Sequence, residues 1–342
     1  MIEDGSSLPQ ELKALAPRII TVGCGGAGNN SIHRLYKLGI KGSTTIAINT
    51  DWQDLEMTDA DKKVLIGKRL TQGKGAGGDP DVAQRAAEES RLLLMDMMRG
   101  ANLVFLTSGM GGGTGTGTTP YIAELAKELN AIVVAIVTTP FEVEKERKKK
   151  ADEGIKRLKE HADSVIILDN NRLLPLVGNE PMEKAFSVMD QFIAEIIKGL
   201  TETILEPSLI NLDFADVRSI MSLGGMATLL YGEAEKMQPD LVIEDALQNP
   251  LFDVDVKGAT GALVHITSSD KMSLKCAQSI ALGITTGLDP KANVILGARV
   301  DPRMEDGVRV MSIFTGIGLD LPDEVVADPS AWDAKWDIPM VG

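Results

Sequence analysis

Two glycine clusters and one pair of aspartates hold most of the chemistry this sequence offers. Gly23-Cys24-Gly25-Gly26-Ala27-Gly28 matches G-x-G-x-x-G. Between a strand and a helix, that spacing turns backbone N–H groups and a helix N-terminus toward phosphate. Asp51 stands 23 residues beyond Gly28, where an acid can accept ribose hydroxyls. Taken alone, these features describe a nicotinamide-dependent dehydrogenase. The second cluster, Ser108-Gly-Met-Gly-Gly-Gly-Thr-Gly-Thr-Gly117, is one that a dinucleotide fold does not need. It has six glycines in the nine residues from Gly109 to Gly117, each costly in conformational entropy, which suits a loop that wraps a polyphosphate with bare backbone. A third stretch, Gly73 to Pro80, can add a side wall through Gly77 and Gly78. The P-loop pattern G-x-x-x-x-G-K-[ST] is absent: Gly67 to Gly73 is one residue too long, and Gly75 follows Lys74. A nucleoside triphosphate would have to be held without the P-loop lysine.

Asp213 and Asp216 lie three apart at the start of a predicted helix, so their carboxylates share one side of it. There they could orient water for in-line phosphoryl transfer with Mg²⁺. Equally, Asn211 and Asp213 could cap that helix. Asp190 interrupts an apolar helix face and needs a polar partner. The two cysteines, Cys24 and Cys276, and the three histidines are too scattered for a zinc site and read as unligated, with free thiols.

These residues need a scaffold, and the apolar pattern supplies one. Arg18–Val22, Thr44–Asn49, Ala101–Thr107, Ala131–Thr138 and Ser164–Leu168 read as buried strands. Helical patterns lie at Asn29–Leu38, Asp81–Met98, Thr119–Leu129 and Lys145–His161. Strands alternating with helices predict an α/β fold, a parallel sheet covered on both faces. Pro181–Leu205 then reads as one long amphipathic helix, with Met189, Ile193, Ile196, Ile197, Leu200 and Ile204 on one face. Beyond it, helices at Phe214–Met221, Leu241–Gln248 and Leu274–Leu282, with strands at Gly261–Ile266, Asn293–Arg299 and Val308–Thr315, predict a smaller α/β domain. The expected organisation is an N-terminal extension at 1–17, a nucleotide-binding domain at 18–180, a central helix at 181–206, a C-terminal domain at 207–321 and a tail at 322–342.

Of the 342 residues, 35 are basic and 49 acidic, giving a formal charge of −14. Such a surface repels nucleic acid and anionic lipid. No signal peptide or membrane-spanning stretch is recognisable, which predicts a cytoplasmic protein without direct membrane insertion.

Gly111-Gly-Gly-Thr-Gly-Thr-Gly117 resembles the signature of the tubulin/FtsZ superfamily. GCGGAGNN at 23–30, INTD at 48–51, GAGGDP at 75–80 and Asn211-Leu-Asp-Phe-Ala-Asp216 extend the resemblance, from about Ile19 to Gly316, to its FtsZ branch of prokaryotic cell-division GTPases, with archaeal features. The resemblance implies GTP or GDP on the first domain, together with Mg²⁺. The phosphates would lie against Gly25, Gly26, Ala27, Gly28, Asn29 and Asn30 and against Gly111, Gly112, Gly113, Thr114, Gly115, Thr116 and Gly117, near Asn49. Glu144 would contact the ribose, with Arg147 or Lys148 as its basic neighbour, because the loop is one residue shorter than usual and Lys145 replaces a glycine. Asn170 and Asp190 would read the guanine against Phe186. Asn211, Asp213 and Asp216 would complete catalysis in the next subunit of a head-to-tail filament at mid-cell. Trp336-Asp-Ile-Pro-Met-Val341 resembles a peptide that docks on membrane-tethering adaptors, or it packs back through Trp332 and Trp336. The altered Glu144 loop leaves a GTP-binding polymer without hydrolysis as a further reading.

Overall fold

The computed structural model describes residues 16–317 apart from 207, 211, 225, 250 and 252–255. The tail, most of the N-terminal extension and Asn211 therefore lie outside the described residues. The chain divides into two compact units, one ending at Ala162 and resuming over Leu168–Pro207, the other formed by Asp163–Ile167 and the residues from Ser208 onward.

The first unit begins β1 (Ile19–Cys24), α1 (Gly25–Lys37), β2 (Ser43–Asn49), α2 (Trp52–Glu56) and β3 (Lys62–Leu65). It continues α3 (Pro80–Glu89), α4 (Arg91–Met98), β4 (Leu103–Gly109), α5 (Thr114–Glu128), β5 (Ile132–Thr139) and α6 (Lys145–His161). The strands run β3-β2-β1-β4-β5, all parallel. Every residue of β1 is buried, as are the first seven of β5, which is why these strands read as unbroken apolar runs. The order reverses between β1 and β4, where Cys24 is in register with Ser108. Both glycine clusters thus leave the sheet side by side at its switch point, the crevice where α/β sheets bind ligands.

β6 (Ser164–Asp169) begins in the second unit and ends in the first. A 3₁₀ turn at Asn170–Leu173 and α7 (Leu174–Val177) follow, then the long helix α8 (Met182–Leu205). Met189, Ile193, Ile196, Ile197 and Leu200 of α8 are buried and the helix packs on α1, where Lys198 Nζ donates to Leu38 O at 2.9 Å.

The second unit comprises α9 (Phe214–Met221), β7 (Met226–Ala234), α10 (Pro239–Gln248), β8 (Gly261–Ser268), α11 (Leu274–Ile284), β9 (Asn293–Val300) and β10 (Val308–Ile317). β10 is antiparallel to both β7 and β8, β8 is parallel to β9, and β7 is parallel to the start of β6. α10 and α11 cover a core built from Val242, Ala246, Val264, Ile266, Ile280 and Phe314.

Several elements differ from the sequence pattern. The helix expected over 81–98 is two, broken at Ser90, whose ψ of 9° leaves the helical region. Helices α1 and α5 start at Gly25 and Thr114, inside the glycine clusters, so glycines form their first turns despite low helix propensity. The strand Met226–Ala234 carried no local signal: its Met, Ala and Leu favour helices, and its pairing with β10 from Val308↔Ala234 onward makes it a strand.

Candidate functional site

The glycine turns are interlocked. Gly25 has φ +71°, and a Cβ there would stand 2.8 Å from Gly115 N. A Cβ on Gly115 would in turn stand 2.6 Å from Gly109 O, and one on Gly113 would stand 2.8 Å from Asp79 N in the third loop. Much of the glycine requirement therefore comes from loop packed on loop. At Gly113 the Asp79 backbone by itself leaves no room for a side chain. Gly112 is different. It has no positive φ and a Cβ on it would meet nothing within 4 Å, so nothing among the described residues requires glycine there. Gly77 and Gly78 are equally open, with φ +62° and +74°. The bare backbone around these positions leaves an open side to the turns, a cradle where backbone N–H groups could receive an anion.

Side chains stiffen this cradle. Thr116 Oγ1 accepts from Gly111 N at 2.8 Å, and the Thr50 and Thr114 hydroxyls are 2.7 Å apart. Asn49 Oδ1 accepts from Thr50 N (2.9 Å) and Asp51 N (3.2 Å), and its Nδ2 donates to Asp54 Oδ2 at 3.2 Å. Asn29, with its amide turned to donate to Gly23 O at 3.1 Å, accepts from Asn49 Nδ2 at 3.0 Å. Ala27 and Asn30 are exposed on the first turn of α1, while Gly28 is buried beneath it. Cys24 lies fully buried under the turns, its thiol pushed up to about 11 by burial and so unreactive.

The second wall comes from α6. Glu144 Oε2 accepts from Arg147 at 2.7 Å, while Lys148 faces Glu142 at 3.8 Å. Between the two candidates for Glu144's basic neighbour, Arg147 is the one beside it. The Arg147 backbone also abuts Gly111, where a Cβ would stand 2.7 Å from Arg147 O.

At the other end, Asn170 opens the 3₁₀ turn after β6, and no hydrogen bond reaches its amide among the described residues. Phe186 and Asp190 are four residues apart and hence on one side of α8. Phe186 is 36% exposed and its ring lies 5.9 Å from that of Phe141. Asp190 has the partner its setting required: Ser31 Oγ donates to Asp190 Oδ1 at 2.8 Å. Burial still raises the Asp190 pKa from 3.8 to about 6, against the Ser31 bond and the Arg34 charge.

Asp213 and Asp216 belong to the second unit and do form a helix cap. Asp213 Oδ1 accepts from Asp216 N at 2.8 Å, and Asp216 Oδ2 accepts from Asp213 N at 3.2 Å, a reciprocal capping box. One oxygen of each carboxylate is left outside the cap, so capping holds the pair together without consuming it.

Three participants had no local sequence signal. Asp54 Oδ2 lies 2.9 Å from where a Cβ on Gly26 would stand, a carboxylate at the edge of the phosphate cradle. Lys150 Nζ donates to Gly78 O at 2.7 Å and ties α6 to the third loop. Ser31 is 159 residues from Asp190. Asp51 turns out to cap α2, accepting from Gln53 N at 2.9 Å. Among the described residues no group of three His, Cys, Asp or Glu could hold a metal ion.

Two glycine turns interlocked at a parallel-sheet switch point, no P-loop lysine, and a long helix carrying a desolvated carboxylate define a class of nucleotide-binding protein apart from both P-loop and dinucleotide folds. Two family models match: the Tubulin/FtsZ family, GTPase domain, over residues 18–178, and the FtsZ family, C-terminal domain, over residues 225–318. The chain belongs to the Tubulin/FtsZ family, and its first domain is a GTPase domain. The dehydrogenase reading of G-x-G-x-x-G is thereby corrected. The cell division protein FtsZ 2 of Methanocaldococcus jannaschii is 56% identical over 304 residues, 88% of this chain and 80% of that protein. FtsZ 2 of Haloferax volcanii is 55% identical over 302 residues, 88% and 76%. A solved structure, an empty FtsZ dimer from M. jannaschii, superposes with a TM-score of 0.85 at 44% identity, covering 90% of this chain and 91% of that one. No helix among the described residues is long and apolar enough to cross a membrane.

Proposed function

We propose that this chain is a self-assembling GTPase of the cell-division machinery, which binds GTP on its first unit and hydrolyses it with carboxylates from a neighbouring copy. The observation that carries the reading is the open backbone at Gly112, which suits bound phosphate, together with the presence of the Asp213 and Asp216 pair on the other unit. GTP phosphates contact the turns at Gly25–Asn30 and Gly111–Gly117, with Asn49, Gly77 and Gly78 at the margin. Glu144 and Arg147 hold the ribose side. Asn170 and Asp190 accept and donate at the guanine edge, with Phe186 on its face. Among the described residues no protein cluster would hold Mg²⁺, so the ion would take its ligands mainly from phosphate and water, with Asp54 the nearest carboxylate to the turns and the ion's charge offsetting that of the phosphates. Asp213, Asp216 and Asn211 orient the attacking water in the next subunit. A heterologous contact of this kind does not close and so grows into a filament. The names of the relatives support a role in division, hence a mid-cell ring, reached through an adaptor that takes the C-terminal tail.

Light scattering after addition of GTP or GDP tests the assembly, and GTP turnover at rising protein concentration tests the shared site. Scattering with GTP alone, and turnover per subunit that climbs steeply past a threshold, are expected. Equal scattering with GDP, or turnover per subunit independent of concentration, refutes the reading.

A further inference from the structure

The segment leading into α9 is docked on β9. Ile210 and Ala298 form an antiparallel bridge, Ile210 N donating to Ala298 O at 3.2 Å and Ala298 N to Ile210 O at 3.1 Å. Two residues on, Leu212 is only 3% exposed, and its side chain occupies the space over Gly297. A Cβ on Gly297 would stand 2.5 Å from Leu212 Cδ1 and 2.7 Å from its Cγ. The backbone of Gly297 has no positive φ. Glycine is needed there for the room it leaves, and Leu212 takes that room.

His265, in register with Gly297 on the adjacent strand, forms another wall, its Cδ2 at 3.2 Å from the same Cβ position. Burial, with a contribution from the Arg299 charge, lowers its pKa to about 4, so the wall is uncharged near neutral pH. The residue after Leu212 is Asp213, the N-cap of α9 and one half of its capping box. The far end of α9 is also pinned, Ile220 O accepting from Thr315 Oγ1 at 2.9 Å and Met221 O from Ser164 Oγ at 3.1 Å. The helix is thus held at its C-terminal end by hydroxyls and at its N-terminal end by a leucine seated over a glycine.

We propose that Leu212 and Gly297 act as plug and socket, positioning residues that fix where the Asp213 and Asp216 carboxylates are presented for GTP hydrolysis in a neighbouring copy. The proposal rests on the assignment of those carboxylates to the reaction. Neither residue touches nucleotide. Their effect is on geometry, and displacement of a reacting group by about 1 Å can cost about 100-fold in rate.

Gly297→Ala, Leu212→Ala, the double variant and Asp216→Ala test it. GTP affinity, sedimentation with a slowly hydrolysed GTP analogue, and kcat per sedimented subunit are measured for each. Gly297→Ala and Leu212→Ala should bind GTP and sediment like the parent chain, with kcat per sedimented subunit lowered about 10-fold or more. In the double variant the added methyl fits where the leucine branch was removed, and kcat should recover to within about 3-fold of the parent, a coupling expected only of residues in contact. Because kcat is taken per sedimented subunit, a loss of folded protein alone would not lower it in the single variants. Parent-like kcat in either single variant, or a double variant no better than the worse single one, overturns the proposal. If Gly297→Ala fails to fold, Leu212→Ala, which introduces no clash, decides by the same measure. Asp216→Ala separates the two levels: full turnover in it refutes the carboxylate assignment itself, whereas its inactivity beside parent-like single variants refutes only the plug and socket.

Discussion

Asp190→Asn should strengthen the empty protein while weakening its hold on guanine. In the nucleotide-free chain, desolvation raises the Asp190 pKa from 3.8 to about 6. A raised carboxyl pKa means the folded state holds the proton more tightly than the unfolded state. The resulting stabilisation is complete below pH 3.8 and is lost as pH rises through about 6. Linkage with those two pKa values gives a loss on the order of 1 kcal/mol between pH 5 and pH 8. Asparagine cannot ionise and keeps an oxygen for Ser31 Oγ, so it should be free of that loss. Urea unfolding of both nucleotide-free proteins at pH 5 and pH 8 should show the variant gaining on the order of 1 kcal/mol on the parent across that interval. In the proposed GTP complex the carboxylate would meet the guanine N–H donors, and replacing it should remove hydrogen bonds to a charged acceptor worth about 1.5–3 kcal/mol, or about 10- to 150-fold in affinity. Calorimetric titration with a slowly hydrolysed GTP analogue at pH 8 measures this. A stability difference that does not change with pH would show that the carboxyl is not desolvated, and undiminished affinity would remove Asp190 from the base site.

Four further outcomes are expected. The parent chain should bind GTP progressively more weakly below pH 6, toward tenfold per pH unit, as Asp190 takes up a proton; affinity that is flat from pH 7 to pH 5 contradicts this. Gly112→Val should leave the melting temperature nearly unchanged, because a Cβ there meets no described atom within 4 Å, yet lower GTP affinity at least about tenfold by intruding on the cradle. Unchanged affinity places the phosphates elsewhere. Gly113→Val, by contrast, should lower the melting temperature as well, because the added side chain meets the Asp79 backbone, and an unshifted melting temperature would refute that packing. Asp216→Ala should keep GTP affinity and form long-lived filaments, at a cost of about 1 kcal/mol to the cap of α9; failure to bind GTP would show that Asp216 serves the nucleotide-binding surface instead.

Continuous apolar runs made β1, β4 and β5 legible, because strands covered on both faces need no alternation. The glycine clusters were legible as turns between strand and helix, because their spacing is a local signal. Their mutual packing was not: Gly25 against Gly115 and Gly113 against Asp79 join segments far apart in the chain. Ser31 beneath Asp190 is a tertiary pairing of the same kind, as is β7, whose residues favour a helix until β10 pairs with them. The break at Ser90 is a local event, yet the leucines and methionines around it carry the helical pattern straight through. For Asp213 and Asp216, capping and catalysis looked like alternatives from spacing alone; the capping box uses one oxygen of each and leaves the other.

A mixing experiment tests the shared site most directly. Asp216→Ala has an intact nucleotide cradle and lacks a catalytic carboxylate, whereas Gly112→Val has the carboxylates and a blocked cradle. Each alone should turn over little GTP. Mixed in equal amounts, they should form contacts in which one supplies the GTP and the other supplies Asp216, and turnover should exceed the sum of the separate rates several-fold. Turnover that never rises above that sum would contradict hydrolysis between neighbouring copies.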